Sequence, residues 1–492
     1  MDLAGRQVLV VGLGKSGQAA ARFLAARGAA VTGNDARPSL PPEVEASLRG
    51  AGVALALGGH EAARFAAADL IVLSPGVPPI PALEAADRAG VPVVSEVELA
   101  SRFLAGPIAA ITGTNGKSTT TEVLGACCRA AGWRVFVGGN LGTPLVEAAD
   151  EEACAGRPFE AVVAEVSSFQ LERIAAFRPR VASIVNITED HLDRYPSMAA
   201  YVAAKARLFE NMGEGDHLVL NADDPRVAAL AADVRPGTRI TWVSVLGRPT
   251  PSGAPAEATV EPGSGVEVGR EGRGALRFEG ERYPLAKVRL PGRHNLENML
   301  VAVAMGRRLG VPAAAIQRAL EGVASLAHRI ERIGEARGVG FYDDSKGTNV
   351  AAVVRALESF ATPVVLIAGG KDKGGDYAPL APLVKARVRR LVLIGEAAPR
   401  MAAALGRLTD TVRAPSLEAA VEAAFAAARP GDSVLLSPAC SSFDMFRDYL
   451  HRSEVFAAAV RALVARAAAG EAGSPPRSGG EITTMKGSGG GV

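Results

Sequence analysis

The chain is poor in the features that would place it outside an ordinary folded interior. Only 4 of its 492 residues are cysteine. Cys127, Cys128, Cys154 and Cys440 form no CxxC pair and have no histidine at zinc-finger spacing. This excludes a disulfide framework or a structural zinc and fits a reducing compartment. Aromatic residues make up 5%, and no apolar run approaches the roughly 18 residues that a membrane-spanning helix needs. Excess charge of one sign is missing as well: 54 Lys and Arg face 52 Asp and Glu, a formal net of +2. Such a balance gives no field for nucleic acid or an anionic membrane, so any phosphate binding must be local. The opening MDLAGRQVLVVGLGKSG sets Asp2 before the first basic residue and breaks its apolar run with glycine, unlike a secretory leader. A cytoplasmic location is expected.

What is present is enough to fold. With 48% hydrophobic and 22% charged residues, the chain can bury sufficient apolar surface to offset chain entropy. At about 150 residues per domain the length corresponds to about three domains. Short apolar runs alternate with Ala-rich amphipathic stretches along most of the chain, the pattern of α/β folds with mainly parallel sheets. Strands are expected over residues 7–11, 70–74, 108–112, 161–165, 181–186, 364–368, 391–394 and 433–437. Residues 245–281, rich in Gly, Pro, Arg and Glu, read as hairpins or a surface insertion without a catalytic role. The last stretch, with GSPPRSGG and KGSGGGV, reads as a mobile tail or a linker.

Two glycine-rich turns suggest two nucleotide-type folds. In Gly12-Leu13-Gly14-Lys15-Ser16-Gly17 the glycines let backbone approach a pyrophosphate at a helix N-terminus, and Asp35 could hold a ribose hydroxyl. Lys15 and Arg37 could neutralise diphosphate charge. Taken alone, the motif suggests NAD; a tight turn that binds nothing is the plainer alternative. The second turn, Gly113-Thr114-Asn115-Gly116-Lys117-Ser118-Thr119, is a shortened phosphate loop, because Ile111 stands where the usual spacing asks for glycine. Its N–H groups would surround phosphates, Lys117 would reach the β/γ oxygens and Ser118 would face Mg²⁺.

Further candidates lie at predicted strand ends. Glu165 in AEVSSFQLE and the run Asn186-Ile-Thr-Glu189-Asp190-His191-Leu-Asp193-Arg194 supply hard oxygens and one imidazole for one or two Mg²⁺. Each taken singly reads equally well as a cap or a surface charge. Lys205, on a helix beginning near Pro196, would ordinarily be a solvated residue. HNLEN at 294–298, His328-Arg329 and DDSKGTN at 343–349 offer groups for a purine edge, a ribose or a phosphate. The loops GGKDKGG at 369–375 and SPACSSFD at 437–444 suit a small dicarboxylate. Cys440 reads as a buried structural thiol.

In this order TGTNGKST, EVSSFQLE, NITEDHLDRYP, HNLEN, HR, DDSKGTN, GGKDKG and LSPACSSFDMF resemble the Mur ligase family of peptidoglycan synthesis. The likeness runs from Gly12 to about Phe456, and the wording of EVSSFQLE, DHLDRYP, DSKGTN and SPACSSFD is that of the branch adding D-glutamate. The resemblance implies an ATP- and Mg²⁺-dependent ligase of cell-wall synthesis, and so of cell shape and division. Its substrates would be UDP-N-acetylmuramoyl-L-alanine and D-glutamate, acted on by a monomer. It also implies three α/β domains: a Rossmann-like UDP-binding domain (1–96), a P-loop-type ATP-binding domain (97–325, with 245–281 as insertion) and a Rossmann-like amino-acid-binding domain (326–468), followed by a disordered tail (469–492).

By the same resemblance Leu13, Gly14, Lys15, Ser16, Asp35, Arg37, Ser74, Pro75, Gly76, Asn140 and His191 would hold the UDP-sugar, which replaces the NAD reading of the first loop. ATP would meet Gly113 through Thr119, with Asn298 on the adenine and Arg329, Asp344 and Lys346 on the nucleotide. Thr348, Lys373, Ser442, Phe443 and Tyr449 would hold D-glutamate, Tyr449 standing where relatives often have Phe. Lys117, Glu165, His191 and Lys205 would carry the catalysis. Ser118, Glu165, His191 and Lys205, the last as a carbamate derived from CO₂, would be the metal ligands. The rival readings are a dehydrogenase using the first loop, a nucleotide-binding scaffold without turnover, and a sister Mur or folylpolyglutamate-type ligase for another amino acid.

Overall fold

The computed structural model describes residues 1–140, 142–192, 194–268, 271–323, 328–470 and 483–484. Three sheets carry the architecture. The first has five parallel strands in the spatial order Ala54–Leu57, Ala30–Asp35, Gln7–Val11, Leu70–Leu73, Val93–Ser95. Its order reverses between Gln7–Val11 and Leu70–Leu73, where parallel sheets open a ligand crevice at their carboxyl edge.

The second sheet is built on Val135–Gly139, Ala161–Glu165, Ile108–Thr112, Val181–Ile184, His217–Asn221, Arg239–Ser244 and Ala258–Val260, all parallel. Ile108–Thr112 and Ala161–Glu165 are buried at every residue, as strands covered on both faces must be. Within 245–281 the expected hairpins are present, and only the reading as a surface insertion needs correction. Ala258–Val260, Ala275–Phe278 and Glu281–Pro284 extend this sheet as an antiparallel edge, with Ala258, Leu276 and Phe278 in the core. The runs are three or four residues long, too short for alternation to mark their buried face.

The third sheet runs Glu331–Ala336, Val339–Asp343, Ser433–Leu436, Val364–Gly369, Val388–Ile394, Asp410–Arg413 and Thr483–Thr484. Its first and last pairings are antiparallel and the others parallel. Thr483–Thr484 lies inside the segment expected to be mobile; it pairs with Arg413 and Val412, whose backbone would otherwise form an open edge. The rest of that segment beyond Gly470, the boundary placed at 325/326, and Asp193 lie outside the described residues.

The chain forms two compact units. Met1–Glu261, Ala275–Pro284 and Glu297–Glu321, holding the first two sheets, make one; Pro262–Gly274, Leu285–Leu296 and Gly322–Val492, holding the third, make the other. One apolar cluster runs through the first unit from Val8 and Phe23 to Phe136, Leu145 and Ile184. The helix Glu96–Ser101 joins the first two sheets. Its Glu98, fully buried, accepts the N–H groups of Ala175, Ala176 and Phe177 at 2.8–3.0 Å and the Arg102 guanidinium at 2.7 Å. Among the described residues no helix is long and apolar enough to cross a membrane.

Candidate active site

The strand Ile108–Thr112 delivers Gly113 to a loop that ends on the helix Lys117–Ala130. Gly116 precedes that helix at φ 84°, and a Cβ there would lie 2.2 Å from Asn298 Oδ1, so glycine is required. The loop is held from the next strand end. Thr114 N donates to the Asn186 carbonyl at 2.8 Å, Asn115 N to Asn186 Oδ1 at 2.9 Å, and Asn186 Nδ2 to Glu297 Oε1 at 3.0 Å. Ser118 and Thr119 are buried in the first helical turn. A strand end, a tight loop and a helix N-terminus together form a phosphate cradle. Lys117 Nζ folds over it, donating to the carbonyls of Gly113 and Thr114 at 2.9 Å each.

Lys205 reaches the same carbonyl from the helix Met198–Ala206: its Nζ donates to Gly113 O at 2.8 Å and lies 4.6 Å from the Tyr201 ring. It is 2% exposed. Burial first, and then the Lys117 ammonium, hold its amine well below the ordinary lysine range, with Asp190 and Glu165 acting in the opposite sense. Tyr201, four residues earlier on the same helix face, bonds Thr114 Oγ1 at 3.2 Å. Glu165, at the end of a buried strand, accepts Asn140 Nδ2 at 2.7 Å, which joins a metal-ligand candidate to a sugar-binding one. His191 sits at φ 55°, with its ring 4.9 Å from Phe169 and 6.2 Å from Tyr201.

These residues fit a divalent cation. Glu165 and Ser118 are buried oxygen donors beside the loop, Asp190 and Glu165 are the anions that act on Lys205, and His191 adds a nitrogen. An uncharged amine at Lys205 would be no obstacle to a cation.

The first glycine turn is equally built. Gly17 has no room for a side chain, since a Cβ would meet the Gly12 carbonyl at 1.9 Å. Ser74 Oγ donates to that carbonyl at 2.7 Å, and Gly14 precedes the helix Lys15–Ala25. Asp35 is committed within the protein: Oδ2 accepts Leu13 N at 2.7 Å and Oδ1 accepts Arg37 Nε at 2.9 Å. The Arg37 guanidinium, against the opposing effect of burial, holds the Asp35 carboxyl down at about 2. Lys15 Nζ donates to the Gly142 carbonyl at 2.6 Å, so the turn touches the loop after Asn140.

In the second unit the candidates form a group of their own. Asp344, at the end of Val339–Asp343, accepts Ser437 Oγ at 2.7 Å, and burial raises its carboxyl to about 7. Lys346 Nζ lies 5.4 Å from the Tyr449 ring. Lys371 N donates to Ser441 O at 2.9 Å, closing the loop of Lys373 against that of Ser442. Ser442 is buried, Lys373 exposed, Thr348 half-buried and Phe443 67% exposed. His328, Glu331 and Asp343 converge closely enough for a cation. However, His328 Nδ1 bonds Ser453 Oγ at 2.6 Å and Ser453 bonds Asp343, so the group is already a hydrogen-bonded network.

Sequence reasoning missed Asn186, Tyr201 and Glu297 as parts of the loop's support. Their signal was present in the first residue of NITEDH, the i−4 neighbour of Lys205 and the Glu of HNLEN. Glu172 and Arg194 stand in EVSSFQLE and NITEDHLDRYP, but nothing local to either paired them.

Three family models match the chain: Mur ligase MurD-like, N-terminal domain, over residues 6–95; Mur ligase middle domain over 111–306; and Mur ligase, glutamate ligase domain, over 328–440. The UDP-N-acetylmuramoylalanine--D-glutamate ligase of Geobacter metallireducens is 50% identical over 467 residues, 94% of this chain and 99% of that one. Its counterpart in Geotalea uraniireducens is 48% identical over 471 residues, 94% and 99% of the two chains. Among solved structures, the UDP-N-acetylmuramate-alanine ligase MurC of Thermotoga maritima aligns with a TM-score of 0.60 at 21% identity, covering 93% of this chain and 99% of that one. MurF ligase of the same organism, in complex with ADP, aligns with a TM-score of 0.60 at 14% identity, covering 94% and 96%. These two likenesses speak for the fold alone.

Proposed function

The chain belongs to the Mur ligase family, and from that membership we propose that it is an ATP-dependent ligase joining D-glutamate to UDP-N-acetylmuramoyl-L-alanine in the cytoplasm. The observation that carries the reading is the phosphate loop 113–119 with two lysines on one of its carbonyls and Glu165 and His191 beside it. The choice of D-glutamate rests on the relatives, about half identical over nearly the whole chain.

An amide does not form readily from a carboxylate in water. The γ-phosphoryl group of ATP passes to the L-alanine carboxylate, giving an acyl phosphate; the amine of D-glutamate attacks its carbonyl, and phosphate leaves. Lys117 moves from the carbonyls of Gly113 and Thr114 to the β/γ oxygens, and the loop's N–H groups hold the phosphates in line. Ser118, Glu165 and His191 would hold Mg²⁺, which would supply charge neutralisation for the transferred group. The amine of Lys205, held uncharged by burial, would add CO₂: a C–N bond forms, a proton leaves, and the carbamate offers an oxygen ligand that the lysine itself lacks. Leu13, Gly14, Lys15 and Ser16, with Ser74, Pro75 and Gly76, receive the UDP, and Asp35 with Arg37 fixes the shape of that turn. Asn140 meets the peptide end of the sugar. Asn298 serves the adenine, and Arg329, Asp344 and Lys346 the nucleotide; Thr348, Lys373, Ser442, Phe443 and Tyr449 receive D-glutamate.

The test is phosphate release from ATP with Mg²⁺ and UDP-N-acetylmuramoyl-L-alanine, comparing D-glutamate with L-glutamate, L-lysine and meso-diaminopimelate. Release with D-glutamate alone is expected. Release with another amino acid moves the enzyme to a sister branch, and none with any of them overturns the ligase reading.

A further inference from the structure

His191 is held in the left-handed region at φ 55° without being glycine, a strained conformation that persists only where its surroundings impose it. The turn that follows imposes it. Arg194 N and Tyr195 N both donate to the His191 carbonyl at 3.0 Å, and both side chains then fasten to one carboxylate. Arg194 Nη2 reaches Glu172 Oε2 at 2.7 Å and the Tyr195 hydroxyl donates to Oε1 at 2.6 Å, so each oxygen of Glu172 takes one partner. Glu172 is itself placed by the short helix Ser168–Leu171, which opens with a capping box between Ser167 and Gln170, and its carbonyl accepts Arg207. Phe169 of that helix closes the arrangement, with the Arg194 guanidinium 4.3 Å over its ring and the His191 imidazole against its edge.

The second arm of Arg194 leads elsewhere. Its Nη1 donates to the Val77 carbonyl at 3.2 Å. Val77 follows the Ser74-Pro75-Gly76 turn, its N–H donates to Ser74 O at 3.1 Å, and its side chain packs where a Cβ on Gly12 would come within 2.5 Å. A continuous line of contacts therefore joins the glycine turn of the first sheet to the backbone of His191 on the second: Gly12, Val77, Arg194, His191. A planar guanidinium can hold the carboxylate and the carbonyl at once; an ammonium on a flexible stem serves one geometry less well.

We propose that Arg194, with Glu172 and Tyr195, is a positioning brace that transmits occupancy of the nucleotide turn to the placement of His191. It rests on the reading of that turn as the UDP site and of His191 as part of the phosphoryl-transfer machinery. A nucleotide seated on Gly12 and Ser74 presses on Val77, and Arg194 carries the displacement to the strained turn. The brace thus ties correct seating of the sugar nucleotide to completion of the catalytic constellation, and it needs the fork of Arg194 to do so.

The experiment uses the full chain with [13C]-histidine and UDP alone as the probe, a fragment that lacks the muramoyl-peptide end. His191 is assigned through His191→Gln, and His60, whose Nδ1 lies 2.6 Å from Asn34 Oδ1 at the carboxyl end of the strand Ala30–Asp35, serves as the reporter of nucleotide binding. UDP is expected to move both resonances in the wild type and His60 alone in Arg194→Lys. In turnover assays Arg194→Lys should lower kcat about ten- to a hundredfold, with the KM for ATP unchanged and the thermal midpoint close to wild type. Tyr195→Phe, which deletes one bond to Glu172 and keeps the ring, should shift the same readouts less and carries the test if Arg194→Lys does not fold. A His191 response that survives in the variants, or is missing in a wild type whose His60 responds, overturns the brace. No response at either histidine removes the UDP site and the brace with it. Responses as expected without D-glutamate-dependent turnover remove the ligase reading and leave the brace standing.

Discussion

Glu96 offers the sharpest quantitative test. It opens the helix that joins the first two sheets, is 1% exposed, and accepts the Val146 N–H at 2.7 Å, while its other oxygen has no hydrogen-bond partner among the described residues. Burial dominates over the Val146 and Leu145 N–H groups and raises its carboxyl from 4.5 to about 7. At about 1.4 kcal/mol per pKa unit, that difference is worth about 3 kcal/mol. The folded value lies above the unfolded one, so the contribution is complete below pH 4.5, falls as pH rises, and is gone above about 7. Glu96→Gln keeps an acceptor for Val146 and cannot ionise. Its stability relative to wild type should therefore rise by about 2–3 kcal/mol between pH 5 and pH 8.5. The chain's 2 tryptophans, Trp133 and Trp242, both lie in the same unit as Glu96, so urea unfolding followed by their fluorescence reports on it. A wild-type-to-variant difference that is flat over this range would refute the reasoning.

Glu98 should behave with the opposite sign. Burial alone would raise its carboxyl, but the N–H groups of Ala175, Ala176 and Phe177 and the Arg102 guanidinium outweigh it and lower the pKa. Glu98→Gln should cost about 2–4 kcal/mol at pH 7, with the gap closing as pH falls through the folded pKa; thermal midpoints at pH 7 and in acid check this. Lys205→Met should lower turnover about a hundredfold or more while leaving the thermal midpoint equal or higher, because an apolar chain of similar length replaces a buried amine; retained turnover would dismiss Lys205 from the chemistry. In the native chain iodoacetamide should modify the exposed Cys154 and spare Cys127, Cys128 and Cys440, whose thiols are buried and pushed up, Cys440 to about 11 and Cys128 to about 12. Peptide mass mapping before and after unfolding distinguishes them, and early labelling of Cys440 would contradict its burial.

The parallel strands were legible because burial on both faces writes continuous apolar runs, and residues 161–165 and 108–112 start and stop where expected. Other strand ends were less so. Leu70–Leu73 stops before Ser74, whose hydroxyl turns back to Gly12, and Val181–Ile184 stops before Asn186, whose side chain holds the phosphate loop. Val388–Ile394 begins three residues earlier than the apolar run, because Arg389 and Arg390 find Asp432 and Asp410. At the site, residue types bearing chemistry were found by their strand-end positions. What sequence could not supply was the partner of each: Asp35 bound within its own turn, Glu165 on Asn140, Arg194 shared between two loops. Such pairings join residues far apart in the chain, and nothing local records them.

The division of the chain has a practical corollary for dissecting it. The backbone passes from one compact unit to the other between 261 and 262, 274 and 275, 284 and 285, 296 and 297, and 321 and 322. A protease nick at any one of these places leaves the two units tied by the remaining four strands of chain. A gene fragment starting after 322 lacks 262–274 and 285–296, which pack with that unit through Val268 N on the Ser359 carbonyl and Arg293 on Glu358. Domain exchange with a relative therefore has to carry three separate pieces of sequence together, so the two units are inherited as a pair, not as exchangeable cassettes.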